Sequence, residues 1–459
     1  MNPLTMHKIM SIQRAYKIDK HYKSLLLSLM ALVVFASSVT VVRGQEMLSR
    51  EAAMGLTLEH NYDIKVAEKS LEVADNNQSI LNSGYLPTVS TNGNVGISGY
   101  QGQNQTVNGD INYDPTDAYN YGASIGFDYV LFNGYGRMYN YKQLKEQYNI
   151  SELQARQIIE NTLLELSNSY FQMAQLTESV SILKNALSIS TTRMLRAKYS
   201  FEYGQTTQID LLNAQVDVNN DSISLLNTIQ ELENSRRNLN LIMGREIETE
   251  FVVDTTVNFD LHGTRDVLVS QAYARNVLIQ QTNSQLRNSE FALKASQAGW
   301  FPALSLSGGY NYSGNQNPAG AFVTGSYNLG PQAGLTLAWN IFDGGSTRVR
   351  SQNARVEIKR QQILKEQTEF SIKRDVLNAY GAYQNSLFVY YAEKANLETA
   401  RKNFERSDDL YKQGQINSIE FRQAQLNLLN AQNNQSIAKY NAKYEELKLK
   451  QLAGILLED

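Results

Sequence analysis

The sequence predicts an α+β chain made of one unit repeated twice. Each copy supplies two membrane-type β-strands and a pair of very long coiled-coil helices. Three observations carry this reading: a motif register that holds at one offset, stretches of strict period-2 alternation, and proline-free spans far longer than a globular helix needs.

The first 44 residues stand apart. Lys8, Arg14, Lys17, Lys20 and Lys23 precede an apolar run from Leu25 to Ala36. A basic flank before a run too short to span a bilayer is the pattern of a secretory signal. A membrane anchor is the alternative. Val42 and Gly44 are small residues at −3 and −1, so cleavage is expected after Gly44, and Met6 or Met10 could serve as the start. Removing 1–44 takes six basic residues from 42 and one acidic residue from 45, leaving a net charge of −8. That balance argues against a nucleic-acid partner, since phosphate binding wants basic patches. The chain has no Cys, so a disulfide framework and a lipid on an N-terminal thiol are both excluded from the expectation.

The duplication organises the rest. Leu131-Phe-Asn-Gly134 recurs as Ile341-Phe-Asp-Gly344, and Asn168-Ser-Tyr170 as Asn378-Ala-Tyr380. Gly204 pairs with Gly414, Asp210 with Glu420, Ala214-Gln215 with Ala424-Gln425, and Gly244 with Gly454. All share an offset of 210 without a gap. Tyr85-Leu-Pro87 matches Trp300-Phe-Pro302 at a slightly larger offset, which places a loop-length difference between them. The expected divisions are a signal peptide 1–44, a first repeat 45–245, a linking segment 246–265 and a second repeat 266–459.

Each repeat opens with a helix, over Glu46–Ser83 and Asp266–Gly299, ending before Pro87 and Pro302. Strands follow. In Ala118–Phe132, Tyr119, Tyr121, Ile125, Phe127 and Tyr129 alternate with Asn120, Gly122, Ser124, Gly126 and Asp128. Asn328–Phe342 alternates in the same way, with Leu329, Leu335, Leu337, Trp339 and Ile341 on one side. Val89–Gly99 and Ala303–Ser313 alternate less sharply. Aromatics near the ends of such segments suit transmembrane strands, with an ordinary half-buried sheet as the alternative. Gln101–Asp117 and Gly314–Ser326, rich in Gly and Asn, are expected to be exposed loops.

Long helices come next. No proline occurs between Pro115 and Pro302 or after Pro331. Arg137–Tyr203 and Ser346–Lys412 are helical in character, and each would run about 100 Å at 1.5 Å per residue. After Gly204 a heptad begins, with Leu211, Val218, Leu225, Leu232 and Leu239 seven apart. Ala214, Asp221, Thr228, Ser235 and Ile242 sit three later. The second copy has Phe421, Leu428, Gln435, Ala442 and Leu449 with Ala424, Ala431, Ala438, Glu445 and Leu452. Large residues alternating with small ones permit close antiparallel packing, and the polar dilution of the seam fits a helical wall with one wet side.

Four strands cannot close a barrel, and open edges in lipid leave backbone groups unpaired at a cost of several kcal/mol each. Several copies must therefore pool their strands and their helices. A membrane barrel joined to a helical tube connects two compartments.

With those residues in view, the mature chain resembles the TolC-like outer-membrane efflux and secretion channels over nearly its whole length. The marks are the duplication, the Leu/Ile-Phe-Asn/Asp-Gly strand ends, and the helix turns Phe201-Glu-Tyr-Gly204-Gln-Thr-Thr207 and Tyr411-Lys-Gln-Gly414-Gln-Ile-Asn417. The runs Asp210-Leu-Leu-Asn-Ala-Gln215 and Glu420-Phe-Arg-Gln-Ala-Gln425 also match. The resemblance implies an outer-membrane homotrimer with a twelve-stranded barrel in lipid and a periplasmic tunnel. It also implies docking to a periplasmic adaptor and to an inner-membrane pump of the RND or ABC type. It places adaptor contacts at Phe201, Gly204 and Thr207 and at Tyr411, Gly414 and Asn417. It assigns a gate to Asp210 with Tyr411, and an acidic ring to Glu420. Three copies of Glu420 facing one axis would favour cations. The chain departs from the family at Gln423, where a second acid would stand, and at Ile416 and Ile209, where a linking Arg and its Thr partner would stand. For Asp210 and Glu420 the alternative is that both are first-turn acids complementing a helix dipole.

Catalysis, cofactor and metal chemistry find no motif. The mature chain has two histidines, His60 and His262, in different elements. There is no Gly-x-x-x-x-Gly-Lys loop and no Gly-x-Ser-x-Gly elbow. Gly134 and Gly344-Gly345 sit where a phosphate loop could, but strand-to-helix corners need unusual dihedrals too. The leading expectation is the exit duct of a tripartite small-molecule efflux pump. A duct for protein secretion and a periplasmic coiled-coil spacer are the alternatives, and the spacer needs no aromatic-flanked strands.

Overall fold

The computed structural model describes residues 46–107, 109–317 and 323–458. The signal-peptide expectation lies outside them. Two units are distinguished. Among the described residues the small one is 46–48 with 250–252, which holds β1 (Glu46–Leu48) and all but the last residue of its partner strand β4 (Phe251–Val253). Everything below belongs to the large unit.

The first repeat carries α1 (Arg50–His60), α2 (Tyr62–Asn77), β2 (Thr88–Thr106), β3 (Gly109–Asn133), α3 (Gly136–Glu202) and α4 (Gln208–Ile242). The second carries α5 (Arg265–Arg275), α6 (Val277–Ser296), β5 (Ala303–Gln316), β6 (Gly325–Ala338), α7 (Ser346–Lys412) and α8 (Ser418–Ala453). Both α3 and α7 are 67 residues long, as the proline-free spans predict.

The opening helices are not continuous. Asn61 and Asn276 interrupt them, with ψ of 136° and 128°. Each asparagine caps the helix that follows and reaches across the fold. The Asn61 carbonyl accepts from Asp63 and Ile64 N–H, while its amide donates to the Ile242 carbonyl at 2.7 Å. Asn276 repeats this with Leu278, Ile279 and the Leu452 carbonyl at 3.0 Å. The helix pairs α1–α2 and α5–α6 are thereby pinned to the ends of α4 and α8. Gly244 and Gly454 make the approach possible: a Cβ at Gly244 would lie 2.3 Å from the His60 carbonyl oxygen, and one at Gly454 2.6 Å from the Arg275 carbonyl carbon.

The four strands form one antiparallel sheet in the order β2-β3-β5-β6. Its register gathers the alternation onto two faces. Val95 opposes Tyr121, Ile125 opposes Tyr310, and Tyr312 opposes Leu329, all on one face. Asn94, Gly122, Ser313 and Asn328 share the other. The apolar face is open: Val95, Ile125, Leu335 and Leu337 are all exposed. Neither β2 nor β6 has a partner on its outer edge among the described residues.

Two strand boundaries differ from expectation. Most of Gln101–Asp117 is not loop, because the β2–β3 ladder continues from Gly102–Tyr113 to Thr106–Gly109. Asn-Gly at 108–109 is a two-residue hairpin signal, and Gly109 has φ +115°. The fourth strand stops at Ala338, short of Phe342. Its last rung is Ala338–Ala303, and the residue before Ala303 is Pro302, which brings no N–H. In the second hairpin the strands run to Gln316 and resume at Gly325, close to the expected loop.

The heptad positions face the helix partners. Ala214, Asp221, Ser235 and Leu239 are buried on α4, and Phe421, Ala424, Ala431, Ala438, Ala442 and Leu449 on α8. One apolar core lies in the second repeat, where Leu268, Ile279, Ile372, Val376 and Leu449 meet. No helix of the described residues is long and apolar enough to cross a membrane.

Candidate functional site: the helical tips

Each long coil ends in a turn whose backbone follows from a few residues. At the end of α3, Gly204 takes φ +68°, and Gly204 and Gln205 donate to the Phe201 and Ser200 carbonyls. Gly414 takes φ +74° after α7, with Gly414 and Gln415 donating to Tyr411 and Leu410. A left-handed glycine with this hydrogen-bond pair is a Schellman stop. Open space surrounds both glycines, so the requirement is conformational.

Capping boxes then restart the helices. The Thr207 hydroxyl accepts from Asp210 N–H, and the Asp210 carboxylate accepts from Thr207 N–H at 3.3 Å. It also accepts from the hydroxyls of Thr206 at 2.7 Å and Thr207 at 2.8 Å. Those two hydroxyls, Thr206 first, hold its pKa below the usual carboxylate value. Asn417 and Glu420 form the matching box, with Asn417 N–H donating to Glu420 at 3.1 Å. In one chain, both predicted gate acids are therefore capping groups.

Tyr411 stacks on Phe421 at 4.7 Å between ring centroids and 11° between planes, with Phe404 beyond it. The Arg196 guanidinium lies 5.2 Å above the Tyr411 ring and donates to the Lys412 carbonyl. Asp210, Tyr411, Gly414 and Asn417 line one cavity of about 330 Å³, together with Arg196 and Ile416. Phe201, Thr207 and Glu420 do not line it. Phe201 is an exposed side chain on the last turn of α3.

Sequence reasoning missed a buried polar brace just above the tips. Arg422 of α8 donates to Asp221 of α4 at 2.7 Å and to the Ser190 hydroxyl of α3 at 3.1 Å. Ser190 also donates to Asp221, and Gln425 donates to Ser190 and to the Ala186 carbonyl. Arg193 pairs with Asp217 and donates to the Ser418 carbonyl. Burial pushes the Asp221 pKa up, but Arg422 and Ser190 outweigh it and the pKa ends below the ordinary value. One signal was present: Asp221 occupies a heptad seam position, where a carboxylate needs a partner.

Known proteins resemble the chain in sequence and in fold. The TolC outer membrane protein of Vibrio cholerae serotype O1 is 22% identical over 303 residues, covering 64% of this chain and 68% of its own length. A probable outer membrane lipoprotein, SilC, of Salmonella typhimurium is 20% identical over 401 residues, covering 86% and 83%. The crystal structure of the Campylobacter jejuni CmeC outer membrane channel superposes with a TM-score of 0.71 at 16% identity, over 89% of this chain and 86% of that one. A sequence profile of the outer membrane efflux protein family matches residues 53–245 and 268–455, one match for each repeat, and the chain belongs to that family.

Proposed function

We propose that the chain is one subunit of the exit duct of a tripartite efflux pump, carrying small molecules such as drugs and toxic compounds across the outer membrane. The observation that carries this reading is the join of an amphipathic sheet, with no partner on either edge among the described residues, to two helical hairpins whose first helices are each about 100 Å long. In this reading three copies close a twelve-stranded barrel, with 1–44 removed as a signal peptide and no lipid on a cysteine. Residues 45–245 and 266–459 are the two repeats, and 246–265 is the segment linking them at the equator of the duct. The subunit is not an enzyme. The tips at Phe201, Gly204 and Thr207 and at Tyr411, Gly414 and Asn417 meet a periplasmic adaptor, which couples the duct to an RND- or ABC-type pump.

The test is complementation. In cells lacking their own outer-membrane channel, the chain with its cognate adaptor and pump should lower the accumulation of a pump substrate. Restoration of peptide export with no change in drug accumulation would favour the protein-secretion duct. Bulky substitutions at Gly204 and Gly414 should abolish export at normal protein levels, and retained export would remove the adaptor assignment.

The gate assignment asks more of Asp210, Tyr411 and Glu420 than capping. Asp210 and Tyr411 line one cavity, which supports a link between the coils there. Single-channel recordings separate the two roles. Glu420→Gln should reduce cation selectivity, and Asp210→Ala with Tyr411→Phe should raise conductance. Unchanged recordings would leave both acids as helix caps.

A further inference from the structure

The rim where the sheet passes into the helices carries a ladder of aromatic rings and cations that the duct itself does not require. It starts on the apolar face. The Arg137 guanidinium lies 5.8 Å from the centroid of Tyr129 and 5.1 Å from that of Tyr85. Tyr85 meets Tyr141 edge-on at 6.1 Å, and the Lys145 ammonium lies 4.7 Å from Tyr141. Beside this ladder, Lys142 and Lys294 share the Tyr139 ring at 5.4 and 5.5 Å. Lys142, Lys145 and Lys294 are exposed and form no ion pair among the described residues.

Arg137 is held by structure, donating to the Gly84 and Leu131 carbonyls. The lysines are not. Each is exposed with its ammonium beside a ring, and long basic side chains next to aromatic rings are the usual anchors of an interface. From Gly134 to Lys145 there are three basic residues and no acid. The second repeat preserves the charge: at the offset of 210, Arg355 stands for Lys145 and Arg348 for Met138, both exposed. Lys142 and Lys145 lie six and nine residues beyond Gly136, the first residue of α3, about 9 and 14 Å along the helix. With side-chain reach, that is the depth of the headgroup layer flanking a hydrocarbon core.

We propose that this rim is a binding surface for anionic phospholipid headgroups of the periplasmic leaflet, with Lys142, Lys145 and Lys294 receiving the phosphates. The inference rests on the membrane-embedded reading of the sheet. Charge complementarity favours an anionic lipid, and the rings give the headgroup region the amphipathic surface it selects.

The experiment reconstitutes the full-length assembly into vesicles of mixed phosphatidylglycerol and phosphatidylcholine. Spin-labelled lipids report the relative association of each with the protein. The wild type should prefer phosphatidylglycerol, and added salt should weaken the preference. Each Lys→Gln change should lower it by about fivefold at most, and the triple variant K142Q/K145Q/K294Q should abolish it. The triple Lys→Arg variant should retain it. Inorganic phosphate should compete no better than chloride at equal ionic strength, which separates a lipid surface from a free-phosphate site. Equal association of the two lipids with inserted wild type, or an undiminished preference in the inserted Lys→Gln triple variant, would overturn the proposal. Failure of the wild type to insert would instead overturn the membrane reading beneath it.

Discussion

Replacing Asn61 with Ala removes two kinds of bond at once. The first is the cap on α2, made to Asp63 N–H at 2.8 Å and Ile64 N–H at 3.1 Å. Losing an asparagine cap costs about 1 kcal/mol. The second is the amide bond to the Ile242 carbonyl at the end of α4. Asn61 is only 7% exposed, so water does not readily replace that donor, and an unmet buried carbonyl costs about 1–3 kcal/mol. Together the change should cost about 2–4 kcal/mol. Asn61→Ser should recover about the first 1 kcal/mol, because serine caps well but does not reach Ile242. Asn276→Ala should behave as Asn61→Ala does, since its partners repeat the geometry. A large membrane assembly unfolds irreversibly, so local opening is the proper readout. Amide hydrogen exchange across α2 should accelerate by about thirty- to a thousandfold in Asn61→Ala at constant oligomeric state. Protection within about threefold of wild type would refute the claim that this asparagine pins α2 to α4.

Three further outcomes are expected. Gly454→Ala must hold φ +75° and bring a Cβ against the Arg275 backbone, whereas Gly344 has φ +69° in open space. The first should cost about 2–4 kcal/mol and reduce folded yield, and the second about 1 kcal/mol, read as the temperature at which each assembly dissociates on a gel. Glu446 is fully buried, and burial, then its hydrogen bond with Asp260, pushes its pKa up to about 7 from an ordinary 4.5. A raised pKa contributes stability that is complete below about 4.5 and lost as pH rises through about 7, so denaturation midpoints should fall over that window and Glu446→Gln should flatten the fall. Asp260, held low by Glu446 and then by Lys443 and Lys450, has the opposite sign and should lose its contribution only in stronger acid. Because the chain has no Cys, cysteine pairs introduced in one chain, one on the outer edge of β2 and one on that of β6, should yield disulfide-linked oligomers on non-reducing gels; monomers alone at every register would exclude edge-to-edge pairing between copies.

Much of this was legible because proline and glycine punctuate the chain. Pro87, Pro302, Gly204 and Gly414 mark real boundaries, and period 2 marked the faces of the sheet before any register was known. The breaks at Asn61 and Asn276 escaped because asparagine is tolerated in a helical pattern and its partner lies 181 or 176 residues away. The 215-residue offset that relates Pro87 to Pro302 also relates these two asparagines, and is the signal that could have exposed them. The hairpin beyond Gly99 was hidden by poor strand formers, although Asn108-Gly109 is a turn signal. At the tips, Thr207-x-x-Asp210 and Asn417-x-x-Glu420 are readable as capping boxes. What the long coils share, the brace through Arg422, depends on three helices meeting at one level, and periodicity along one helix does not report that.

Besides the apolar face of the sheet, the single chain has open surfaces on two flanks. On one, β2 ends the sheet, α2 packs on α3, and α4 packs on α3. On the other, β6 ends the sheet, and α7 packs on α6 and α8. Large apolar side chains lie exposed on both: Val66, Val73, Leu212, Val216 and Leu226 on the first, and Val356, Ile363, Phe370, Phe388 and Tyr391 on α7. The two flanks differ in sequence, so a two-fold dimer would cover one of them and leave the other open. In the proposed duct both are covered by head-to-tail pairing, β2 and its helices against β6 and α7 of the next copy, and a head-to-tail contact closes only as a ring. In that arrangement one rotation would close sheet and helices together, because each strand pair continues directly into its helix through the corners at Gly134 and Gly344. In the proposed duct, duplication makes the rotation per copy large: each chain already contributes four strands, so few copies complete the circle.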